Sequence, residues 1–232
     1  MKPFLPVLVC QKIGTAPKHS HLKKEWTSVE KLEKTLVWLV RRGYTFITPR
    51  ELSKELPAKP VLLVFAGGYE SVYTHGLPLL KKYNLCATVC LAQEPLGTYN
   101  QWQDPHQEPW QNLLTQSQLD ALRKSGRVQW GTLGLTGENL LACQNPQTAR
   151  EALLESVFRF EKLHKLPVCA VCFWPGKKDK DLVRTREICA GLHLPIITAV
   201  YGKNAREEKQ FFRIQKPGLG VRFLLGCHNA HP

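Results

Sequence analysis

The chain has 232 residues, of which 43% are hydrophobic and 22% charged, and a formal net charge of +13 at pH 7. A chain of this length and composition can bury one sizeable core, so we expect a single domain over residues 1–232. No apolar run approaches the roughly 20 residues of a membrane span. The apolar stretch at the start, MKPFLPVLVC, is too short for a secretory signal. We therefore expect a cytoplasmic protein without a transmembrane segment, unless a leader peptide was removed.

Strand-like and helix-like segments alternate along the whole chain. Apolar runs predict strands at 5–10, 44–48, 60–65, 86–92, 128–134, 168–175, 195–202, 210–215 and 221–227. Helices are predicted after a Thr27–Glu30 capping box up to Gly43, through 75–83, after a Thr115–Gln118 capping box, from Pro146 to Leu163, and over 179–191. This alternation predicts a parallel α/β architecture, most simply a closed or nearly closed (β/α) barrel.

Residues 93–114 form a long segment rich in Pro, Gln and Trp, without a strand or helix pattern. A loop of this length in a compact domain is commonly a lid or a binding loop. We therefore expect a functional loop at this place.

The cysteines resemble a disulfide set only by their number. Cys86, Cys90, Cys169 and Cys172 lie in apolar, strand-like runs, where free cysteine is commonly a small buried hydrophobe. Cys169 and Cys172 have Cys-x-x-Cys spacing, but residues i and i+3 of a strand face opposite sides. This disfavours a zinc knuckle or a redox pair and favours reduced thiols in a reducing compartment.

Basic residues cluster in three segments, 18–24, 176–186 and 202–209. Such clusters favour anionic partners: acidic glycans, nucleic acid or a lipid headgroup surface. The alternative is a solvated basic surface that only aids solubility. The aromatic residues do not interleave with the basic runs and no nucleic-acid motif is present, so nucleic acid is an unlikely partner.

The stretch KPVLLVFAGGYESVY, residues 59–73, raises the main functional question, namely which side chains lie at the carboxyl end of its predicted strand. In α/β proteins, reactive side chains are delivered at the carboxyl ends of such strands. Here that end carries Ala66, Gly67 and Gly68, which offer no acid, base or metal ligand.

Three sequence motifs of this chain, in their residues and in their order, resemble those of the polysaccharide deacetylase family, the NodB-homology domain of carbohydrate esterase family 4. We call them the first, second and third block. PVLLVFAGGYESVYTHGLPLLKKYNLCATVCLA is similar to its first block, normally centred on Thr-Phe-Asp-Asp-Gly. SGRVQWGTLGLTGENL is similar to the second, normally Gly-Ser-His-Thr-x-x-His-x-x-Leu, and VCFWPGKKDKDLVRTREICAG to the third. The resemblance implies a distorted, seven-stranded TIM-like barrel.

The resemblance also implies metal-assisted removal of acetyl groups from carbohydrate, through an Asp-Asp pair and two histidines. The positions of the aspartates carry Ala66 and Gly67, and those of the histidines carry Leu133 and Gly137. None of these side chains can hold a cation. The third block has only Trp174-Pro175-Gly176, without the usual arginine, and the opening Tyr-His is replaced by Cys10 and Gln11.

Other residues offer little to rebuild a site. His19, His21 and Glu25 lie in or after a basic loop, and such residues are more often solvated than metal-bound. Cys10 ends the first strand, where it could point into the barrel mouth, but a cysteine nucleophile needs a base. We therefore predict no catalytic residue, no metal and no cofactor.

These observations favour a deacetylase-like pseudoenzyme that binds a glycan, with an anionic glycan suiting the basic charge, or that scaffolds a glycan-processing assembly. Candidate ligand-lining residues are the aromatics at predicted strand ends or in the long loop, because rings stack on sugar faces. They are Tyr69, Trp102, Trp110, Trp130 and Trp174. The alternatives are packing roles for these rings, a divergent hydrolase with a relocated or metal-free site, and a subunit that docks an acidic protein.

Overall fold

A computed structural model describes residues 5–137, 139–173, 179–201, 204 and 210–214. The strands of this part of the chain are β1 Val7–Cys10, β2 Lys12–Ile13, β3 Trp26–Thr27, β4 Thr45–Ile47, β5 Pro60–Ala66, β6 Ala87–Leu91, β7 Val128–Thr132, β8 Ala170–Cys172, β9 Ile196–Tyr201 and β10 Phe211–Ile214. The α-helices are α1 Val29–Arg41, α2 Leu77–Lys82, α3 Gln116–Lys124, α4 Pro146–His164 and α5 Asp179–Ile188.

The main sheet is parallel, with the strand order β1-β5-β6-β7-β8-β9-β10, and β4 pairs with β5 beside this path. Its two ends meet, since β1 contacts β10. The amide of Leu5 donates to the carbonyl of Asn204 at 3.2 Å, and the Asn204 carboxamide donates back to the Leu5 carbonyl at 3.0 Å. The predicted distorted (β/α) barrel is therefore confirmed. In the described part of the chain seven strands follow one another around it, and β4 is an eighth that pairs with β5. The carboxyl ends of its strands lie at one end, the barrel mouth.

The apolar side chains divide into two layers by the period-two alternation of the strands. On β5, Leu62, Val64 and Ala66 belong to an interior cluster built from strand residues. Val61, Leu63 and Phe65 point the other way, into an outer layer between the sheet and the helices. A strand buried on both faces reads as a continuous apolar run, which explains the sequence of β5.

The predicted helix boundaries hold to within three residues, the largest difference being the end of α5 at Ile188 instead of 191. Helix α3 begins at the predicted capping box, with Thr115 and Gln118 bonding to each other's backbone amides. Helix α4 begins at Pro146 after an Asn145 cap. The prediction for α1 was wrong by one residue, because Ser28, not Thr27, accepts from the Lys31 amide.

Parts of the predicted chain lie outside the described residues. They include the strand 221–227, the basic segment 202–209 except Asn204, and Trp174, Pro175 and Gly176. None of the helices within the described ranges is both long enough and apolar enough to span a membrane.

Candidate functional site

The barrel mouth is the place where an α/β barrel holds its reactive groups. Ala66 ends β5 and is buried in the interior cluster, and Leu133, just after β7, packs against the same cluster. Gly67 and Gly137 follow these two strands with φ angles of +110° and +84°. The four family positions therefore present methyl, isobutyl and hydrogen, none of which is a ligand atom.

The ring of Tyr69 fills the space beside Gly67. A Cβ built on Gly67 would approach the Tyr69 ring to under 3.0 Å, closer than real Cβ contacts. Tyr69 is 2% exposed, and burial first, then the charge of Glu25, raises the pKa of its phenol above its usual value. A longer side chain at 67 would have to displace this buried ring from a backbone that already favours glycine.

Trp102 plays the corresponding part at Gly137. A Cβ on Gly137 would lie 2.5 Å from the Trp102 ring. The Trp102 and Tyr69 rings contact each other in a tilted arrangement, with centroids 6.2 Å apart. We call the two rings the aromatic plug. The described residues at the barrel mouth thus do not fit the metal centre that the family resemblance implies.

A buried charge cluster lies against the aromatic plug. The Lys12 ammonium, on β2, donates to Glu25 at 3.0 Å, to Glu108 at 3.0 Å and to the Gln103 carboxamide oxygen at 2.9 Å. Its Nζ lies 5.5 Å from the centroid of the Tyr69 ring. All three ammonium hydrogens therefore have an oxygen acceptor, which is what a buried charge needs to be tolerated.

Glu108 connects this cluster to the basic segment 18–24. Its carboxylate, 0% exposed, also accepts from the Ser20 hydroxyl, the Leu22 amide and, at 2.8 Å, the Trp26 indole. Burial acts to raise the pKa of Glu108, but the hydrogen bonds from Ser20, Trp26 and Lys12 outweigh it and hold the pKa below its usual value.

The long loop 93–114, predicted as a lid or a binding loop and called the lid loop below, is fixed to the barrel mouth by further contacts. The Leu114 amide donates to the Gly68 carbonyl at 2.8 Å, and the Glu70 amide donates to the Asn112 carbonyl at 2.9 Å. The Glu70 carboxylate accepts from Asn112 and from Gln118 of α3. These bonds lower the pKa of Glu70, the Asn112 bond most. In this structure the loop covers the mouth.

The outer surface of this loop carries an exposed aromatic pair, Tyr99 and Trp110. The rings are stacked, with centroids 6.4 Å apart and planes 20° from parallel. Tyr99 is 48% exposed and Trp110 43%. The Trp110 indole donates to the Gln103 carbonyl at 2.8 Å, which fixes its orientation. We call the two residues the aromatic pair. The basic segment 18–24, which is bonded to Glu108, carries three exposed lysines, at positions 18, 23 and 24.

The comparisons with known proteins agree with this architecture. The family profile described as polysaccharide deacetylase matches residues 53–189, more than half of the chain. The chain belongs to the polysaccharide deacetylase family. The matched range includes β5, the lid loop and the strands through β8, and thus both sides of the barrel mouth.

Individual deacetylase relatives share the fold at low sequence identity. YxkH of Bacillus subtilis, named as a polysaccharide deacetylase, is 24% identical over 190 residues, which are 79% of this chain and 61% of YxkH. The chain therefore spans less than two thirds of that relative. Among solved structures, the Streptococcus pyogenes deacetylase PplD, in complex with acetate, is similar with a TM-score of 0.70 and 19% identity, covering 99% of this chain and 100% of PplD. IcaB from Ammonifex degensii has a TM-score of 0.73 at 17% identity, covering 96% and 95%.

Of the five aromatic residues predicted to line a ligand site, Tyr69 and Trp102 contact each other, whereas Trp110 and Trp130 lie apart from them and from each other. Trp110 is exposed on the lid loop and Trp102 is half-buried in the aromatic plug, whereas Tyr69 is buried beneath it. Trp130 is 4% exposed and packs in the outer layer against Phe160, away from the mouth. A surface ligand cannot contact Tyr69, and the prediction for Trp130 at the mouth was wrong because its strand position faces outward. Trp174 lies outside the described residues.

Sequence reasoning missed three of the residues that organise this site. Lys12 and Glu108 are separated by 96 residues, and no local pattern predicts their pairing. Tyr99 was overlooked beside the tryptophans. Its spacing from Trp110 within one loop was the available signal.

The cysteines occupy apolar positions, as predicted, but two details differ. Cys169 and Cys172 both pack into the interior cluster, because Cys169 precedes β8 and escapes its alternation. Cys10 belongs to the outer layer and does not point into the mouth. Burial raises the pKa of Cys169 to about 12 and that of Cys189 to about 12. Within the described ranges, no three His, Cys, Asp or Glu side chains are grouped to hold a metal ion.

Proposed function

We propose that this chain is a deacetylase-like pseudoenzyme, a member of the polysaccharide deacetylase family that binds a glycan or scaffolds a glycan-processing assembly. The observation that carries this proposal is the Tyr69 ring in the space that a side chain at position 67 needs. Hydrolysis of the kind that the family name implies needs a cation to polarise an acetyl carbonyl and lower the pKa of a water, and Ala66, Gly67, Leu133 and Gly137 offer no ligand atom for one.

The glycan surface in this proposal is the outer face of the lid loop. Stacked, partly exposed rings such as Tyr99 and Trp110 offer flat apolar area to a sugar face. The aromatic pair is fixed by the Trp110 bond to Gln103, so little side-chain entropy is lost on binding.

An anionic glycan suits this surface better than a neutral one. Lysines 18, 23 and 24 are exposed, and Glu108 bonds their segment to the lid loop through Ser20 and Leu22. The net charge of +13 adds a general attraction for polyanions. The reduced thiols of Cys90, Cys172 and their neighbours agree with a cytoplasmic location, which stays part of the proposal.

The first test measures metal and activity together. Elemental analysis of purified, tag-free protein is expected to find no stoichiometric transition metal, and acetylated chitooligosaccharides are expected to release no acetate above a buffer control. One tightly held metal ion per chain, or acetate release that a chelator abolishes, would overturn the proposal and favour a divergent hydrolase.

The second test measures glycan binding by calorimetry, with a heparin oligosaccharide and a neutral chitooligosaccharide as probes. Trp110→Ala is expected to weaken heparin binding several-fold, because a stacking surface is lost. Phe158→Ala, which removes an exposed ring from α4, is the matched control and should bind as the unaltered protein does.

Charge is tested separately from stacking. Changing lysines 18, 23 and 24 to glutamine should reduce heparin affinity more than the same change at lysines 31, 54 and 124, which are also exposed but lie elsewhere. Equal losses in the two triple variants would mean that only net charge matters. In that case the acidic-protein hypothesis, tested by salt-sensitive association, would gain over a glycan site.

A further inference from the structure

A cavity of about 220 Å³ lies outside the barrel, between α3 and α4 and over β7. Its floor is apolar and formed by Leu91, Leu119, Trp130 and Phe160, each 4% exposed or less. Trp130 faces this cavity from the outer layer, so the ring that the sequence singled out lines a different site from the lid surface.

The rim of the cavity is polar and open to solvent. Asp120 and Arg123 of α3 form an ion pair at 3.9 Å, with side chains 42% and 50% exposed. His164, the last residue of α4, also lines the cavity. Its Nε2 is buried and has no hydrogen-bond partner among the described residues. Burial, and to a lesser extent Arg123, lowers the pKa of His164 despite the opposing charge of Asp120.

The geometry points to a binding site for a small, single-ring aromatic molecule that carries a hydroxyl group. A cavity of about 150 Å³ lined by Leu, Ile and Phe is large enough to bind benzene, and this one is larger. The Trp130 and Phe160 rings in the floor of the cavity favour an aromatic ring over an aliphatic chain as the ligand. In this proposal the neutral His164 ring carries its proton on Nδ1, so the ligand hydroxyl donates to the buried Nε2, which otherwise has no partner among the described residues.

This site is independent of the proposed glycan surface. It lies on the helix side of the sheet, whereas the aromatic pair is on the loop that covers the barrel mouth. Failure of one proposal therefore leaves the other intact.

The test is a titration of the full-length protein with phenol and with anisole, followed by NMR. Phenol is expected to shift the indole N–H resonance of Trp130 and the ring resonances of His164 in a saturable way. Anisole has the same ring but no hydroxyl donor, so it should bind several-fold more weakly. Absence of a saturable shift at these residues with either probe would overturn the proposal.

Two variants separate ring binding from hydrogen bonding. Leu119→Phe fills the cavity and should abolish the shifts, and shifts of undiminished size would contradict the proposed place. His164→Phe removes the acceptor but keeps a ring, so phenol and anisole should then bind equally well. A retained preference for phenol in His164→Phe would show that His164 does not receive the hydroxyl, and this arm holds even if Leu119→Phe folds poorly.

Discussion

The ammonium of Lys12 lies 3.0 Å from the carboxylate of Glu108, and neither side chain is more than 1% exposed. The pair joins β2 to the lid loop across 96 residues of sequence. Removing one member of a buried ion pair leaves an uncompensated charge. The loss of stability is then larger than that expected for one hydrogen bond, because the remaining charge stays buried without its partner.

We expect Lys12→Met to destabilise the protein by about 3–5 kcal/mol, since Glu108 and Glu25 would both lose their cation. The free energy of unfolding in urea measures this. Adding Glu108→Gln to Lys12→Met should cost less than the sum of the two single changes, because the stranded charge is removed. Additive costs in this double-mutant cycle would contradict the coupling.

Stability is expected to fall in acid as Glu108 and Glu70 take up protons. The pKa of each lies below its ordinary value of 4.5 in the folded protein, so the folded state binds these protons less readily than the unfolded state. Their contribution is therefore fully present above pH 4.5 and is lost as the pH falls through the folded-state pKa. Urea titrations at several pH values measure how steeply the free energy of unfolding changes with pH. Glu108→Gln should reduce this slope. An unchanged slope would remove Glu108 as a source.

Gly67→Ala should destabilise more than Gly43→Ala. Both glycines have positive φ, +110° and +74°, so each change meets a backbone cost of about 1–2 kcal/mol. A Cβ at 43 meets nothing within 4 Å, whereas one at 67 meets the Tyr69 ring. Thermal unfolding compares the two variants, and equal shifts in Tm would mean that the ring moves aside freely.

Iodoacetamide should leave Cys90, Cys169, Cys172 and Cys189 unmodified in the native protein at pH 8. All four are buried, and burial raises the pKa of Cys169 and Cys189 to about 12, so almost no thiolate forms. Mass mapping after brief alkylation measures this, with labelling in denaturant as the control. Rapid native labelling of any of the four would show that the barrel opens.

The sequence was sufficient for the barrel because its signals are local. The β5 run, the Thr115–Gln118 capping box and Pro146 each specify one element through nearby residues. The site depends instead on side-chain placements, and neither the Lys12–Glu108 bond across 96 residues nor the direction of the Tyr69 ring toward Gly67 leaves a periodic pattern in the sequence. Whether Trp130 faces the interior or the helices also depended on strand phase, which a one-residue shift reverses.

The aromatic plug has an evolutionary consequence. A side chain introduced at position 67 or 137 first collides with Tyr69 or Trp102, so a metal ligand at either position would lower stability before any ligand set exists. Several changes would have to arise together. The packing at the barrel mouth thus disfavours substitutions beside the aromatic plug. Substitutions accumulate more easily on the outer face of the lid loop, where they have no such cost.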